Sequence, residues 1–243
     1  MGQDIVGSHI SRQFNADLED LKSHLLMMGG LVERQIQDAL VAMMESDSAL
    51  ALAVRTTEKR VNELEVAIDE GCTGIIALRH PAASDLRLVM AISKAITDLE
   101  RIGDEASKIA KLALRLAEDG QAPRGHVELR HLGNHVREML HRALDAFARF
   151  DVKQALVVAQ EDRLVDQEYD AAMRQMVTYM MEDPRSISRV LNVVWSLRAL
   201  ERVGDHARNL AEHVIYLVKG RDIRHVNLED IKRELLGGDE ISK

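Results

Sequence analysis

The chain has 243 residues, of which 46% are hydrophobic but only 3% aromatic. That length allows one large domain or two smaller ones, and the aliphatic composition favours close packing of helix on helix. A net charge of −8 and a pI near 5.7 argue against a nucleic-acid partner, whose phosphate backbone requires a basic surface.

Apolar residues recur every three or four positions along six stretches, which predicts six long amphipathic helices. Taken in chain order, the predicted helices cover about residues 9–46, 48–79, 85–116, 126–150, 151–181 and 186–219. The second should end before Pro81 and the fifth before Pro184, because the residue before a proline avoids the helical region. We expect Gly29 and Gly30 to interrupt or bend the first helix.

The stretch 119–125, which contains two glycines and a proline, divides the chain into two similar halves. Three helices precede it and three follow it, which indicates an internal duplication. Short connections predict that the helices of each half run antiparallel. The sequence therefore predicts an all-α protein with two tandem three-helix bundles, at residues 9–118 and 126–219, followed by a charged tail at 220–243.

Three further features bear on the compartment of the protein. Cys72 is the single cysteine, so no intrachain disulfide can form and a reducing compartment fits. Polar residues interrupt the N-terminal stretch, which does not resemble a signal peptide. Nowhere do roughly 18 apolar residues follow one another, as a membrane span requires. We therefore expect a soluble, cytoplasmic protein.

One hexapeptide occurs twice with the same spacing of acidic residues. Residues 99–104 read Leu-Glu-Arg-Ile-Gly-Asp and residues 200–205 read Leu-Glu-Arg-Val-Gly-Asp, at an offset of 101 residues. Acids four positions apart share one helix face, where their repulsion costs roughly 0.2–0.5 kcal/mol. A glycine inside a helix costs about 1 kcal/mol relative to alanine. The chain repeats both unfavourable features, the paired acids and the glycine, in the same arrangement. This repetition indicates a functional site.

The helix before each hexapeptide supplies more oxygen-bearing side chains, since Val61 aligns with Val165 at an offset of 104. The candidate metal ligands are therefore Glu58, Asn62, Glu100 and Asp104 in the first half, and Asp162, Asp166, Glu201 and Asp205 in the second. Oxygen ligands without histidine or cysteine favour Mg²⁺, Ca²⁺, Mn²⁺ or iron, and Zn²⁺ less specifically. We expect weaker metal binding in the first half, because the Asn62 amide carries no charge.

Simpler interpretations exist for each of these features. A solvated helix face with ion pairs explains any single acidic pair, but the duplication and the partner helix favour a metal. Gly103 and Gly204 are also compatible with close helix packing. The Glu-x-x-His matches at Glu128 and Glu138 lie on one helix, whereas a ferritin-like di-iron centre needs them on two facing helices, so we reject that site.

Together these motifs resemble the PhoU family of phosphate-transport accessory proteins. The resemblance rests on the acidic pairs at 100–104, 162–166 and 201–205 within a duplicated three-helix plan, and Asn62 departs from the family pattern. Shorter stretches extend the resemblance over nearly the whole chain, for example Ala-Ser-Asp-Leu-Arg-Leu-Val-Met at 83–90.

The resemblance implies a regulator and not an enzyme. Members of the family act when phosphate is plentiful, link the phosphate ABC transporter to its sensor histidine kinase and silence the phosphate-starvation (Pho) regulon. The implied partners are the cytoplasmic PAS and kinase region of PhoR, the transporter ATPase PstB and a second copy of the chain, with only peripheral association with membrane complexes. The implied cofactor is iron, zinc, manganese or magnesium at the acidic pairs.

Two alternatives from other classes stay open. The first is a carboxylate-bridged metalloenzyme, such as a phosphohydrolase or an oxidase, although a redox di-iron centre would normally include histidine at the acidic cluster. The second is that the acids bind no ligand and only the helical scaffold binds partners. The sequence has no Walker-type phosphate loop, so direct sensing of phosphate by this chain is unsupported.

Overall fold

The computed structural model describes residues 3–118 and 124–221, with side chains described from residue 12 onwards. Its helices in chain order are α1 (Gln3–Glu45), α2 (Ser48–Arg79), α3 (Ala83–Glu118), α4 (His126–Arg149), α5 (Val152–Glu182) and α6 (Ile187–Lys219). A short 3-10 helix at Pro184–Ser186 precedes α6. The described part of the chain contains no strand, which confirms the predicted all-α class, and most of the predicted tail lies outside the described residues.

The helices begin and end at residues whose local chemistry stops or starts a helix. The Asp47 side chain accepts a hydrogen bond from the backbone N–H of Leu50 at 2.9 Å, and Asp151 caps α5 in the same way. Helix α6 ends at Gly220, whose φ of 67° is in the left-handed region that glycine adopts without strain. None of the described helices combines the length and apolar character that a bilayer crossing demands.

The expected interruption of the first helix at Gly29 and Gly30 was wrong, since α1 runs continuously through both. A Cβ on Gly29 would lie 2.5 Å from Leu144 Cδ2 of α4, and a Cβ on Gly133 of α4 would lie 2.6 Å from Leu40 Cδ1 of α1. The glycines therefore let the two helices approach each other. The two contacts are reciprocal, because each joins a glycine of one bundle to the equivalent leucine of the other. Such reciprocity indicates an approximate two-fold axis between the two bundles.

Helices α3 and α6 form the larger contact between the bundles. Asp98 of α3 accepts hydrogen bonds from His206 and His213 of α6, and Glu105 of α3 lies 2.9 Å from Arg202 of α6. Residue numbers on α6 fall as those on α3 rise, so the two helices run antiparallel. The third helix of each bundle therefore lies at the centre of the molecule.

Asp98 is the polar centre of this interface, with its side chain 13% exposed. Oδ1 accepts from His206 Nδ1 at 2.8 Å and from Asn209 Nδ2 at 3.0 Å, and Oδ2 accepts from His213 Nε2 at 2.8 Å. Burial by itself would raise the pKa of Asp98, but these hydrogen bonds outweigh it and lower the pKa from 3.8 to about 2. Asp98 therefore contributes stability above about pH 4 that is lost as the pH falls towards 2.

We expect Asp98→Asn to lower the free energy of unfolding at pH 7 by about 2 kcal/mol, because the charged form of Asp98 is the one that the interface stabilises. The variant should also lose less stability than the wild type between pH 4 and pH 2. Urea denaturation followed by circular dichroism at several pH values measures both effects. Asp170→Asn, at an exposed carboxylate of α5, is the matched control. Equal stability of Asp98→Asn and the wild type at pH 7 would contradict the assignment.

Candidate functional site

Gly103 and Gly204 lie where the helices that carry the predicted ligands pack against each other. A Cβ on Gly103 would lie 3.5 Å from Val61 Cγ1 of α2, and a Cβ on Gly204 would lie 3.0 Å from Val165 Cγ1 of α5. Gly204 thus lets α6 approach α5 more closely than a larger residue would. At Gly103 the distance to Val61 is an ordinary van der Waals contact, and the nearest atom is Gln35 Oε1 of α1, at 3.2 Å. Because Val61 and Val165 occupy equivalent positions in the two halves, the same contact occurs in both bundles.

The first cluster consists of Glu58 and Glu65 on α2 with Glu100 and Asp104 on α3. The Glu100 side chain is 16% exposed, and its burial raises the pKa of this carboxyl. The negative charge of Asp104 raises it further, and Glu65 and Glu58 add to the effect. Arg101 lies 3.4 Å from both Glu100 and Asp104, so it partly compensates the charge. Three of the four predicted ligands in this half therefore lie together, with a fourth carboxylate beside them.

Asn62 and Glu65 depart from the sequence prediction in opposite ways. Asn62 is exposed on α2 and makes no side-chain hydrogen bond to another described residue. Glu65 was not predicted, yet burial raises the pKa of its carboxyl and Asp104 adds to the shift. Its spacing of seven residues from Glu58 places both on one helix face and could have identified it. Its counterpart in the second half is Tyr169, so no acid recurs at this position and the alignment of the two halves does not reveal Glu65.

The second cluster consists of Asp162 and Asp166 on α5 with Glu201 and Asp205 on α6, all four of them predicted. Asp162 is 6% exposed and the Glu201 side chain 12%. Burial raises the pKa of Glu201, and the charges of Asp205, Asp166 and Asp162 raise it further. The four predicted ligands of the second half therefore lie close enough together for their negative charges to raise the pKa values of Asp162, Asp166 and Glu201.

Arg208 lies among the acids of the second cluster and was not identified from the sequence. Its Nη1 donates a hydrogen bond to Asp162 Oδ2 and lies 3.7 Å from Asp205 Oδ1. Burial raises the pKa of Asp162, and the positive charge of Arg208 opposes that shift. The equivalent of Arg208 in the first half is Ser107, a buried residue whose hydroxyl has no partner in the described structure. A guanidinium at this position of the third helix therefore occurs only in the second cluster.

The donor atoms fit a hard cation in their chemistry. All of them are carboxylate oxygens, apart from the amide of Asn62, and such ligands suit Mg²⁺, Mn²⁺, Ca²⁺ or iron. Glu201 Oε2 is buried without a hydrogen-bond donor, so this oxygen has an unused lone pair. As the side chains stand in the described residues, no three of His, Cys, Asp or Glu converge closely enough to ligate one ion. Metal binding therefore requires side-chain rotation, and in the second cluster also withdrawal of Arg208.

The sequence is similar throughout to that of known phosphate-transport proteins. The family described as "PhoU domain" matches twice, at residues 25–113 and 129–214. A Pseudomonas aeruginosa protein named phosphate-specific transport system accessory protein PhoU homolog is 59% identical over 97% of this chain and 97% of its own length. The protein of Escherichia coli named phosphate-specific transport system accessory protein PhoU is 50% identical over 96% of this chain and 97% of its own length.

Solved structures agree with the sequence comparison. The crystal structure of PhoU from Pseudomonas aeruginosa has a TM-score of 0.83 and 62% identity, over 86% of this chain and 100% of that one. A phosphate transport system regulatory protein PhoU from Streptococcus pneumoniae has a TM-score of 0.79 at 32% identity, over 86% of this chain and 98% of that one. The two-bundle fold and the duplicated domain are therefore those of known PhoU proteins, and the chain belongs to the PhoU family of phosphate-specific transport system accessory proteins.

Proposed function

We propose that this chain is a negative regulator of the Pho regulon and a modulator of phosphate uptake. In this proposal it acts in the cytoplasm as a metal-binding adaptor between the phosphate ABC transporter and its sensor histidine kinase. The proposal is supported by the names of its relatives, which are accessory or regulatory proteins of phosphate transport. The single observation that carries the metal-binding part is the duplicated pair of acidic clusters.

The proposed partners are the cytoplasmic PAS and kinase region of PhoR, the ATPase PstB and a second copy of the chain. An adaptor needs exposed helix faces and no reactive group, and the long helices of both bundles offer such faces. The charged neighbours that shift the pKa values in the two clusters are aspartates, glutamates and arginines. This composition favours an adaptor over a carboxylate-bridged metalloenzyme, whose redox form would use histidine.

In this proposal the ion is held by carboxylates from two neighbouring helices. Glu58, Glu100 and Asp104, with Asn62 when its side chain turns inward, would hold the ion of the first bundle. The second bundle would use its four acids, Asp162, Asp166, Glu201 and Asp205. A bound cation supplies positive charge that offsets the repulsion among these clustered carboxylates. Its role is therefore to stabilise one arrangement of α2 against α3 and of α5 against α6.

A binding assay tests the adaptor function directly. The purified chain is immobilised and offered the cytoplasmic region of PhoR and, separately, PstB, each with Mg²⁺, Mn²⁺, Fe²⁺ or Zn²⁺ and with a chelator. We expect both proteins to bind and the chelator to weaken their binding. Absence of binding by both proteins under every metal condition would contradict the proposal.

A further inference from the structure

A half-open cavity of about 420 Å³ lies between the C-terminal part of α3 and the N-terminal part of α6. We call this cavity the basic groove. Its charged lining is dominated by five cationic side chains, those of Lys108, Lys111, Arg115, Arg198 and Arg202. Glu105 is the one carboxylate that lines it, although the whole chain has a net charge of −8. The groove is therefore a local basic site on an acidic protein.

The cations of the basic groove are only partly neutralised by the protein itself. Glu105 is buried, and its Oε1 lies 2.9 Å from both Lys108 Nζ and Arg202 Nε. One carboxylate is thus shared by two cations, and Arg198 Nη1 donates a hydrogen bond to Glu201 Oε1 at 2.8 Å. Lys111 and Arg115 have no ion-pair partner among the residues that the structure describes. The groove therefore presents positive charge that an external anion can neutralise.

An apolar strip leads into the basic groove along the same face of α6. Trp195 lines the groove and is 60% exposed, and Leu191 and Ile187 precede it at intervals of four residues and are each 40% exposed. Side chains at this spacing lie above one another on a helix. Exposed tryptophan beside arginine is typical of residues that dominate the energetics of protein interfaces.

The repeat of the fold does not account for the basic groove. At the offset of 101 residues that relates α3 to α6, the counterpart of Lys111 is Glu212 and that of Arg115 is Tyr216. The counterpart of Trp195 is Lys94. The helix packing is therefore duplicated at the opposite end of the α3–α6 interface, whereas Lys111, Arg115 and Trp195 have no counterpart of the same kind there.

We propose that the basic groove, together with the apolar strip, binds an acidic segment of a partner protein. The charge of the groove requires an anionic occupant, and the strip extends beyond the cavity and requires apolar side chains on the same occupant. A segment that carries carboxylates and an aliphatic residue supplies both. That the occupant is a protein rests on the adaptor function proposed above, and a nucleotide is the competing occupant that the experiment must separate.

Trp195 makes the groove observable, because it is the only tryptophan in the chain. The full chain is titrated with a twelve-residue peptide of glutamate and leucine, and tryptophan emission is recorded. We expect a saturable blue shift whose midpoint rises with salt, since salt screens exposed charges. The same peptide with lysine in place of glutamate should cause no shift.

The double variant Lys111→Glu with Arg115→Glu should weaken peptide binding about tenfold or more, through lost attraction and new repulsion. The control variant Arg130→Glu with Arg174→Glu has the same change in net charge at exposed positions of α4 and α5, and should bind as the wild type does. Circular dichroism checks that both variants keep their helicity.

Three results would overturn the inference: no emission change at millimolar peptide, equal binding by the groove variant and the wild type, or tighter binding of ATP than of the acidic peptide. The same variants in the partner assay separate this inference from the proposed function. If the groove variant binds PhoR and PstB as well as the wild type does, the inference fails and the adaptor function stands. If the wild type binds the peptide but neither partner, the groove stands as an acidic-peptide site and the adaptor function fails.

Discussion

Replacement of Arg208 by alanine is expected to lower the free energy of unfolding of the metal-free protein by about 3 kcal/mol. The loss of one partner from a largely buried ion pair leaves the other charge uncompensated, and Asp162 is 6% exposed. A divalent cation should restore most of this loss, because an ion at about 100 times its dissociation constant stabilises the folded state by about 2.7 kcal/mol. Urea denaturation with and without Mn²⁺ measures both effects.

The wild type should gain less from the same concentration of metal, because Arg208 competes with the ion for Asp162 and Asp205. Arg101→Ala is the matched control, since Arg101 is 54% exposed beside the first cluster and exposed ion pairs contribute at most about 1 kcal/mol. A variant at Arg208 that is destabilised equally with and without every metal tested would indicate that the guanidinium is the permanent counter-ion of the second cluster.

Gly204→Val is expected to destabilise the protein by about 3 kcal/mol and to weaken metal binding in the second bundle. A Cβ at this position would already lie 3.0 Å from Val165 Cγ1, and the added methyl groups must push α6 away from α5. That movement would separate Glu201 and Asp205 from the acids of α5. Thermal denaturation and metal titration of the same sample measure the two effects.

Gly74→Val is the control for this variant, because a Cβ on Gly74 of α2 has no atom within 4 Å. Valine is a better helix former than glycine, so this change should leave stability unchanged or raise it slightly. Wild-type stability in Gly204→Val would show that the helices are not held close by the glycine.

The helices themselves could be predicted because their signals are local. Apolar spacing, the cap at Asp47, the stop before Pro81 and the left-handed Gly220 each depend on a few neighbouring residues. The role of Gly29 could not be predicted in that way. It depends on Leu144, a residue more than a hundred positions away in the chain. In the sequence, a glycine that makes room for a side chain of another helix cannot be told from a glycine that bends its own helix.

The candidate site was predictable as far as the duplication extends. Comparison of the two halves identified the acids that recur, and the structure places seven of the eight beside other acids of the set. Glu65 and Arg208 occur in only one half each, so that comparison could not find them. The basic groove was missed for the same reason, because Trp195 and Lys111 have no counterparts of the same kind.

The metal content of the full chain, purified without chelator and measured by elemental analysis, tests most directly whether the acidic clusters bind metal. We predict bound metal in the wild type, its loss from the second bundle in Glu201→Ala with Asp205→Ala, and its loss from the first bundle in Glu100→Ala with Asp104→Ala. Helicity should be largely unchanged in both variants. The same metal content per chain in the wild type and in both variants would contradict the assignment of the clusters as metal sites.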